Sequence, residues 1–559
     1  MAQAYTVSKP DKRFIGLHML IAVIALAIGS LFGPLQALNH ADINLYQPLQ
    51  NLMEPIPFSP FQSYYQGLTL HGVLNALVWT TFFITGFFTL TTVRGLERDL
   101  RYPWLNRVGF WMMVVGLLMA TVPLLLNEAS VLYTFYPPLQ AHWAFYLGLT
   151  LVVVGSWVEG WGMVATYIAW RKDNPFTRTP LMTLGTLITM IMWQIATLGI
   201  AVEILVFLLP WSMGLREGVD PQLSRTFFWF TGHPLVYFWL LPAYVSWYAM
   251  LPKQAGGKLF SDPLARLVFW MFLVLSVPLG FHHQFTDPGI PAAWKYLHAI
   301  LTYFVAFPSL LTAFTVIASL EHAGRKRGGK GALGWIASLP WGDPSVTAQL
   351  LAGILFMFGG ISGIVNASYN VNLVVHNTAW VPGHFHLTVA SAVTLSFIGI
   401  SYWLVPFVTG RKLWKPKLAV WQSWIWFVGM LIFSNAMHVL GLLGAPRRTP
   451  LGEAPYIPIE WSGHLIRVGL GGAILGVAVY LYVAIMFMTA VAGEKVTDEE
   501  NVEIPEADSI RSPSQTPVWL DKWRPWVLGT IALIVVAYGP QLIDQIVNIN
   551  LTSPGIRPF

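Results

Sequence analysis

Long apolar stretches separated by short polar segments recur along the whole 559-residue chain. A membrane-spanning helix needs about 20 mostly apolar residues, and thirteen stretches are long enough. They are 14–36, 67–93, 104–127, 143–170, 180–211, 227–251, 264–284, 291–320, 346–367, 381–409, 419–444, 463–494 and 524–547. The pattern predicts an all-α fold, a polytopic membrane helix bundle. We predict a single domain over 1–559, with 495–523 as a cytoplasmic loop.

The distribution of positive charge predicts how this bundle is oriented. If the polar segments alternate between two sides, 25 of the 32 Lys and Arg lie on the side of the N-terminus. Cytoplasmic loops are enriched in these residues, so we predict a cytoplasmic N-terminus and an external C-terminus. Only 10% of the residues are charged and 55% are hydrophobic. That composition excludes an ordinary soluble protein, which carries about a quarter charged residues.

The chain has no cysteine, which restricts its possible metal chemistry. Disulfides, thiolate ligands and iron–sulfur clusters are excluded. Any bound metal must be held by histidine, carboxylate or tyrosine side chains.

Six histidines are predicted to lie at one depth, in the outer part of the membrane. They are His71, His233, His282, His283, His384 and His386. A single intramembrane histidine more often bonds a neighbouring helix than a metal, but histidine is costly in hydrocarbon and tends to be functional there. Six at one depth on four helices therefore favour metal binding.

The remaining histidines and two intramembrane acids are assigned simpler roles. Helix or interface contacts are predicted for His18, His142, His298, His438 and His464, and exposure to solvent for His40 and His322. Glu159 and Glu203 are predicted to form structural pairs.

The spacing of the six histidines separates them into groups. Residues two apart on a helix point about 200° apart, so His384 and His386 should serve different centres. His282 and His283, at the predicted helix end, could both reach one metal, with His233 as a third ligand. Three imidazoles and an open position suit copper or zinc. Two imidazoles from separate helices, His71 and His386, suit a six-coordinate heme.

Four segments carry a family resemblance. They are YQGLTLHGVLNA (65–76), GHPLVYFWLLP (232–242), FHHQFTDPG (281–289) and HNTAWVPGHFHLTVAS (376–391). They resemble subunit I of heme–copper oxygen reductases, and thirteen helices resemble the B-type branch, the bacterial and archaeal ba-type cytochrome c oxidases. The resemblance implies a terminal respiratory oxidase that reduces O2 to water with four electrons, coupled to proton uptake and pumping.

The resemblance implies two hemes. His71 and His386 would be the axial ligands of a low-spin heme b, which delivers electrons. His384 would be the axial ligand of a high-spin heme of the A or O type, whose other face is open for O2.

The resemblance also implies a copper ion, CuB, opposite the high-spin heme. His233, His282 and His283 would hold it. Tyr237 would be covalently linked to His233 and would donate an electron and a proton when the O–O bond breaks. Positions i and i+4 are neighbours on one helix face, so the spacing permits this link.

Hydroxyl side chains below this centre resemble the single proton path of the B-type branch. They are Tyr244, Tyr248, Ser309, Thr312 and Thr315. Ordinary helix–helix hydrogen bonding is the alternative. Leu235 occupies the place where most A-type oxidases have a glutamate that ends a second path. We therefore predict that all protons use the one path.

The outer loops contain polar residues that the resemblance places near the heme propionates. Arg447 and Arg448 are adjacent, and guanidinium groups suit carboxylates. His376 belongs to the same region. Asn377 replaces an aspartate of the A-type magnesium site, so that metal is not expected, and Asn372 removes a carboxylate that could accept a proton.

Partners and location follow from the resemblance. They are a subunit II that bears CuA, a small single-helix subunit, cytochrome c as electron donor, O2 as substrate and the lipid bilayer, with no nucleic acid. The location would be a bacterial or archaeal plasma membrane, which the chain crosses many times.

Four other functions are less well supported. A quinol oxidase differs in its electron donor. Nitric oxide reductases add glutamates to the metal site and lack the Tyr237 pair. A bis-histidine electron-transfer cytochrome would leave four of the six histidines unused. A histidine-lined transporter would need matching acidic sites in the inner half.

Overall fold

The computed structural model describes residues 5–54, 56, 58–496, 503–511, 515–548 and 551–559. Thirteen long helices lie within these ranges, and each overlaps a predicted stretch. They are α1 Lys9–His40, α2 Tyr64–Gly95, α3 Pro103–Leu125, α4 Trp143–Asp173, α5 Leu181–Ser212, α6 Pro221–Ala249, α7 Asp262–Ser276, α8 Ala292–Lys326, α9 Pro344–Ala367, α10 Trp380–Thr409, α11 Pro416–Leu442, α12 Ile459–Ala492 and α13 Trp523–Val547.

The predicted membrane helix bundle is confirmed. Among the described residues, 11 helices are long and apolar enough to cross a membrane. The two others are α6, which has 29 residues, and α7, which has only 15. Side chains cap the N-termini of several helices. Ser63, Asp220 and Ser261 accept hydrogen bonds from backbone N–H groups in the first turns of α2, α6 and α7.

Two helices form the centre of the bundle. In α2 and α10, 89% of the most apolar window is buried inside the protein, compared with 28% in α8 and 22% in α13. A helix that is apolar all round and buried belongs to a core rather than to a surface. The three histidines predicted to bind hemes lie on α2 and α10, so they lie in the interior.

Contacts between loops agree with the predicted alternation of sides. Isolated backbone bridges join Leu139 to Ile556, Val219 to Ser553, Leu259 to Ser509, and Arg411 to Lys495. The first two join segments predicted to be external, and the last two join segments predicted to be cytoplasmic. Within the predicted loop 495–523, residues 497–502 and 512–514 lie outside the described residues.

Glycines allow α3 and α4 to pack at close range. A Cβ atom added to Gly116 would lie 2.5 Å from the carbonyl oxygen of Gly148, and one added to Gly109 would lie 2.5 Å from that of Gly155. Small residues at such crossings let membrane helices approach closely.

Among the described residues, three helices contain a π-helical turn. These turns are Val73–Trp79 in α2, Glu203–Leu208 in α5 and Thr388–Val393 in α10. Single π turns inside α-helices are common at functional sites. The turns in α2 and α10 begin two residues after His71 and His386, so a single residue separates each predicted ligand from its π turn.

Candidate metal centres and proton path

Three imidazoles converge between α6, α7 and α8. One nitrogen from each of His233, His282 and His283 lies within 4.8 Å of the other two. Nδ1 of His233 is 3.2 Å from Nε2 of His283. All three side chains lie in the interior. Metal–nitrogen bonds are about 2 Å long, so nitrogens at these separations fit one metal ion.

The segment that carries two of these histidines differs from the prediction. The predicted stretch 264–284 is not one helix: α7 ends at Ser276, and Phe281–Gln284 forms a separate 3-10 turn. Pro278 explains the break, because proline lacks an N–H and its ring clashes with the preceding helical turn. On a 3-10 turn, adjacent side chains diverge, yet both imidazoles still reach His233.

Neighbouring side chains determine which imidazole nitrogens remain free. Nδ1–H of His282 donates to the Thr302 hydroxyl at 3.0 Å, which leaves its Nε2. Nε2 of His233 is 3.2 Å from the Tyr237 hydroxyl, which leaves its Nδ1. The ring of His283 stacks on Trp229 at 3.8 Å between centroids and 6° between planes. Three neutral imidazole nitrogens suit a copper ion with an open position.

His384 lies near the start of α10, and its ring faces α9. Its Nδ1 is 3.0 Å from the carbonyl oxygen of Gly359 and 2.9 Å from the Ser362 hydroxyl. Its Nε2 is therefore the free ligand atom, since metal-binding histidines usually donate their other N–H in this way. A Cβ atom on Gly363 would lie 3.0 Å from the His384 ring, so a larger residue there would crowd the ring.

His71 and His386 form a facing pair between α2 and α10. Their ring centroids are 6.4 Å apart and their planes differ by 11°. Nδ1–H of His71 donates to the Gly29 carbonyl at 2.9 Å, and that of His386 to the Pro382 carbonyl at 2.7 Å. Two imidazoles bound to one metal from opposite sides, at about 2 Å per bond, have centroids about 6 Å apart. The pair therefore fits a bis-histidine heme.

The spatial relation between the centres also follows the prediction. His384 lies within electrostatic range of His233 and His282. His386, which is two positions after His384 on α10, instead faces His71 of α2. The two neighbouring histidines of α10 thus face different groups of histidines, the arrangement that their spacing predicts.

Cationic groups gather in the loops above α10. Arg447 donates to Oδ1 of Asn377 at 2.8 Å, and the Arg448 guanidinium lies over the rings of Tyr133 and Tyr136. Burial and the charge of Arg448 lower the pKa of Arg447 to about 10. An anionic partner would remove this cost of burying a cation.

Two buried donors in this region have no hydrogen-bond partner among the described residues. They are Nη2 of Arg448 and Nε1 of Trp380. Because buried polar groups are nearly always hydrogen-bonded, these atoms fit the carboxylates of heme propionates. Burial, followed by Arg447 and Arg225, lowers the pKa of His376 to about 4, so this imidazole is neutral at pH 7.

Two asparagines support the same loop. Nδ1 of His376 is 3.0 Å from Oδ1 of Asn372, whose amide donates to the Asn366 carbonyl at 2.7 Å. Asn377 has a φ of 58°, a left-handed conformation that asparagine tolerates better than most residues. Both asparagines therefore have structural partners in the loop.

The predicted proton-path residues form two hydrogen-bonded pairs between α6 and α8. The Tyr244 hydroxyl donates to Ser309 at 3.2 Å, and the Tyr248 hydroxyl donates to Thr312 at 2.6 Å. Thr315 is fully buried one turn below Thr312 but bonds the carbonyl of its own helix. The structure therefore brings four of the five hydroxyls into contact.

Below this row, Ser319 is a residue that the sequence did not single out. It is fully buried, its hydroxyl donates to the Thr315 carbonyl at 2.7 Å, and it accepts the N–H of Phe260 at 2.9 Å. The serine lies one turn below Thr315 on α8, so the spacing i, i+4 could have indicated it.

One of the remaining histidine predictions is wrong. His40 was expected to face solvent, but it is only 7% exposed and donates to the Gln36 carbonyl at 2.8 Å. The segment Leu451–Glu453 covers the end of α1, where Asn39 donates to Glu453 at 2.7 Å. His322 is exposed, as predicted.

The two intramembrane acids have the structural partners expected of them. Nε2 of His18 lies 3.0 Å from Oε1 of Glu159, and both side chains are fully buried between α1 and α4. Glu203 accepts the Ser224 hydroxyl at 2.7 Å, which links α5 to α6.

An apolar cavity lies among α2, α4, α5 and α6. Its lining includes Gly72, Ile204, Gly232, Leu235 and Trp239. Gly232 immediately precedes His233, so the cavity lies beside the turn of α6 that carries this histidine. A small apolar molecule would meet little resistance here, because apolar walls hold water weakly.

Three contacts at the metal centres were not predictable from the sequence. They are the hydrogen bond between His282 and Thr302 and the hydrogen bonds of His384 with Ser362 and Gly359. Each partner lies on another helix, more than eighteen residues away, and threonine, serine and glycine are frequent in membrane helices. No local signal marks them.

Known proteins resemble the chain over nearly its whole length. The family described as cytochrome c and quinol oxidase polypeptide I matches residues 13–474. Cytochrome c oxidase subunit 1 of Thermus thermophilus is 47% identical over 554 residues, which cover 98% of this chain and 97% of that protein.

A more distant relative and a solved structure agree with this match. Quinol oxidase subunit 1 of Bacillus subtilis is 26% identical and covers 69% of this chain and 59% of that protein. A cryo-EM structure of a heme–copper terminal oxidase dimer superposes with a TM-score of 0.92 at 40% identity, covering 99% of this chain and 96% of that one.

Proposed function

Because this chain belongs to the cytochrome c and quinol oxidase polypeptide I family, we propose that its buried imidazoles hold the metals at which O2 is reduced. The chain is subunit I of a heme–copper oxidase and therefore part of an oxidoreductase. It is a multi-span membrane protein of an oxidase complex, and hemes and copper are the cofactors of its family.

The electron donor we propose is cytochrome c. The relative named cytochrome c oxidase is 47% identical, whereas the one named quinol oxidase is 26% identical over a shorter part of the chain. We further propose a subunit II with CuA, a small single-helix subunit and a bacterial plasma membrane location. The bundle over 1–559 would act as one domain.

The proposed cofactor assignment follows the free imidazole nitrogens. His71 and His386 would hold a low-spin heme b, which the near-parallel rings 6.4 Å apart support. His384 would hold the high-spin heme, of the A or O type, through Nε2. His233, His282 and His283 would hold copper. When bound, these groups supply the electron transfer that converts O2 to water.

Tyr237 would provide a proton at the reacting site. Its hydroxyl is 3.2 Å from Nε2 of His233, so the two side chains act as one unit. Tyrosine hydroxyls can serve as general acids when they are within hydrogen-bond reach of the reacting group. The covalent link between these side chains is part of the same proposal.

Protons would reach Tyr237 from the cytoplasmic side through the hydroxyls between α6 and α8. The bonds from Tyr244 to Ser309 and from Tyr248 to Thr312 support this route. Leu235 supplies no second acid near the site. The proposed route therefore carries both the protons consumed and those pumped.

Oxygen would approach the site through the apolar cavity that Gly232 lines. O2 is small and apolar, and the lining is almost entirely apolar. A side chain at Gly232 would meet the Trp229 ring at 2.8 Å, so Gly232→Val should both narrow the cavity and displace Trp229.

The observation that carries the proposal is the convergence of three imidazoles and Tyr237 beside His384. Metal analysis and an anaerobic CO-difference spectrum of the purified complex test it. We expect two hemes per chain, one of which binds CO, and a copper ion held by this subunit. A complex with two hemes that both fail to bind CO would contradict an oxidase and favour an electron-transfer cytochrome.

A further inference from the structure

A buried histidine outside the predicted ligand set contacts the turn that carries His282 and His283. Nδ1 of His298 on α8 accepts the backbone N–H groups of Gly280 at 3.0 Å and Phe281 at 3.2 Å. Because Nδ1 accepts two N–H groups, the ring proton is on Nε2. That proton is donated to the carbonyl of Ala537 on α13 at 2.9 Å.

The backbone of the same residue supports the other end of the turn. The Thr302 hydroxyl donates to the His298 carbonyl at 2.6 Å. The Thr302 oxygen therefore accepts Nδ1–H of His282 at 3.0 Å, which fixes the tautomer of that imidazole. His298 thus supports the turn in two places: its ring binds the backbone before His282, and its carbonyl acts through Thr302 on the His282 ring.

The packing around the turn leaves little freedom. The ring of His298 stacks on Phe281 at 4.2 Å, and Tyr538 meets both rings edge-on at 5.0 Å. A Cβ atom on Gly280 would lie 2.6 Å from the Trp229 carbonyl oxygen. The turn is therefore enclosed between α6, α8 and α13.

We infer that His298 is a positioning residue, which orients the turn Phe281–Gln284 toward His233 and couples α13 to the metal centre. This inference rests on the proposed function, because copper is taken as the metal. Since Pro278 ends α7 before the turn, no helical bond holds Gly280 and Phe281. Without the imidazole, their two buried N–H groups would be unpaired.

The test compares His298→Leu with His298→Asn in the purified complex. Leucine fills the space but removes the acceptor, whereas the Oδ1 atom of asparagine can replace Nδ1. We expect His298→Leu to weaken copper binding by about 10- to 100-fold, the range for residues that orient metal ligands. The infrared band of CO photolysed onto the copper should broaden or shift. His298→Asn should restore most of the copper and the band.

Heme content and a second variant separate this role from general misfolding. His71, His384 and His386 lie on other helices, so His298→Leu should keep both hemes. Tyr538→Phe keeps the ring against Phe281 and should leave copper and the CO band unchanged. Wild-type copper and an unchanged band in His298→Leu would overturn the inference. If His298→Leu also loses hemes, equal loss in His298→Asn would overturn it.

The outcome for the wild-type complex keeps the two proposals distinct. Absence of copper from the wild-type site would contradict the proposed function. Copper in the wild type together with full copper in His298→Leu would contradict only the role of His298.

Discussion

The paired imidazoles of His71 and His386 and the cluster at His233 lie in the same outer layer but are supported differently. In the pair, each Nδ1–H is bound to a main-chain carbonyl, at Gly29 and Pro382. In the cluster, the partners are other side chains: the Thr302 hydroxyl, the Tyr237 hydroxyl and a second imidazole.

This difference fits the two roles that we propose, electron transfer at the pair and proton-coupled chemistry at the cluster. Main-chain carbonyls of buried helices neither titrate nor depend on one side chain, so the pair is held rigidly, as the low-spin heme that we propose there would require. Hydroxyls and imidazoles can exchange protons, so the partners of the cluster can take part in chemistry as well as orient ligands. The reactive site is therefore the more sensitive of the two to single substitutions.

The largest expected effect comes from removing one ligand of the cluster. His282→Ala should lower O2 consumption to below about a thousandth of the wild-type rate, because groups that act as a unit fail together. The low-spin optical spectrum should stay intact, since the pair is held on α2 and α10. Oxygen electrode rates and a hemochrome assay measure the two results. Loss of the low-spin signal in this variant would contradict the independence of the two sites.

Tyr237→Phe tests whether a partner of the cluster takes part in chemistry. We expect the turnover rate to fall by about 100-fold, the lower range for loss of a positioned proton donor, with both hemes and copper retained. Stopped-flow oxidation of the reduced complex measures it. If Tyr237→Phe turned over normally, the hydroxyl would only orient His233.

Thr312→Val should slow turnover by about ten- to thirtyfold, because Tyr248 loses its partner and water replaces the hydroxyl only in part. Proton uptake, followed with a pH indicator, should slow equally. Thr189→Val is the matched control, because Thr189 is also buried and bonds a carbonyl of its own helix but lies on α5. Equal slowing in both variants would argue against a path along α8.

Arg447→Leu tests the cationic loop above both sites. A nearby positive charge favours the reduced heme, so its removal should lower a heme reduction potential by about 60 mV, a tenfold change in the equilibrium for one electron. Redox titration measures the shift. Arg447→Lys, which keeps the charge, should show less than half of it. Identical potentials in all three proteins would place the propionates elsewhere.

The smallest effect is expected at His384, which has both kinds of support. Ser362→Ala removes the hydroxyl but keeps the Gly359 carbonyl at 3.0 Å, so we expect less than about a threefold loss of activity. Resonance Raman spectroscopy of the iron–histidine stretch should show a small shift. A loss as large as that of Tyr237→Phe would mean that side chains, not the main chain, hold His384.

Much of this organisation was predictable from apolar length, loop charge and histidine position. These patterns locate all thirteen helices and assign His384 and His386 to different centres. Spacing along one helix depends only on helical geometry, so it survives folding. It also predicts the contact of Tyr237 with His233.

Contacts between distant segments were not predictable in the same way. The break after Ser276 follows from Pro278, but apolar length alone extended the predicted helix across it. His40 was assigned to solvent because nothing local indicates that Leu451–Glu453 would cover it. The partners of His282 and His298 depend on the angle at which α8 crosses the turn, which no single stretch of sequence encodes.

The π turns that begin just after His71 and His386 have a consequence for how this sequence can change. Each π turn holds one extra residue. Residues of one helix face that lie on opposite sides of the turn are therefore one position farther apart in the sequence than in a regular α-helix. Deleting one residue within Val73–Trp79 would let the turn revert to an α-helix with the faces on its two sides still in phase, whereas the same deletion in the regular part of α2 below it would rotate His71 by about 100° relative to the rest of the helix. His71 would then point away from His386, although no side chain at the site had been altered.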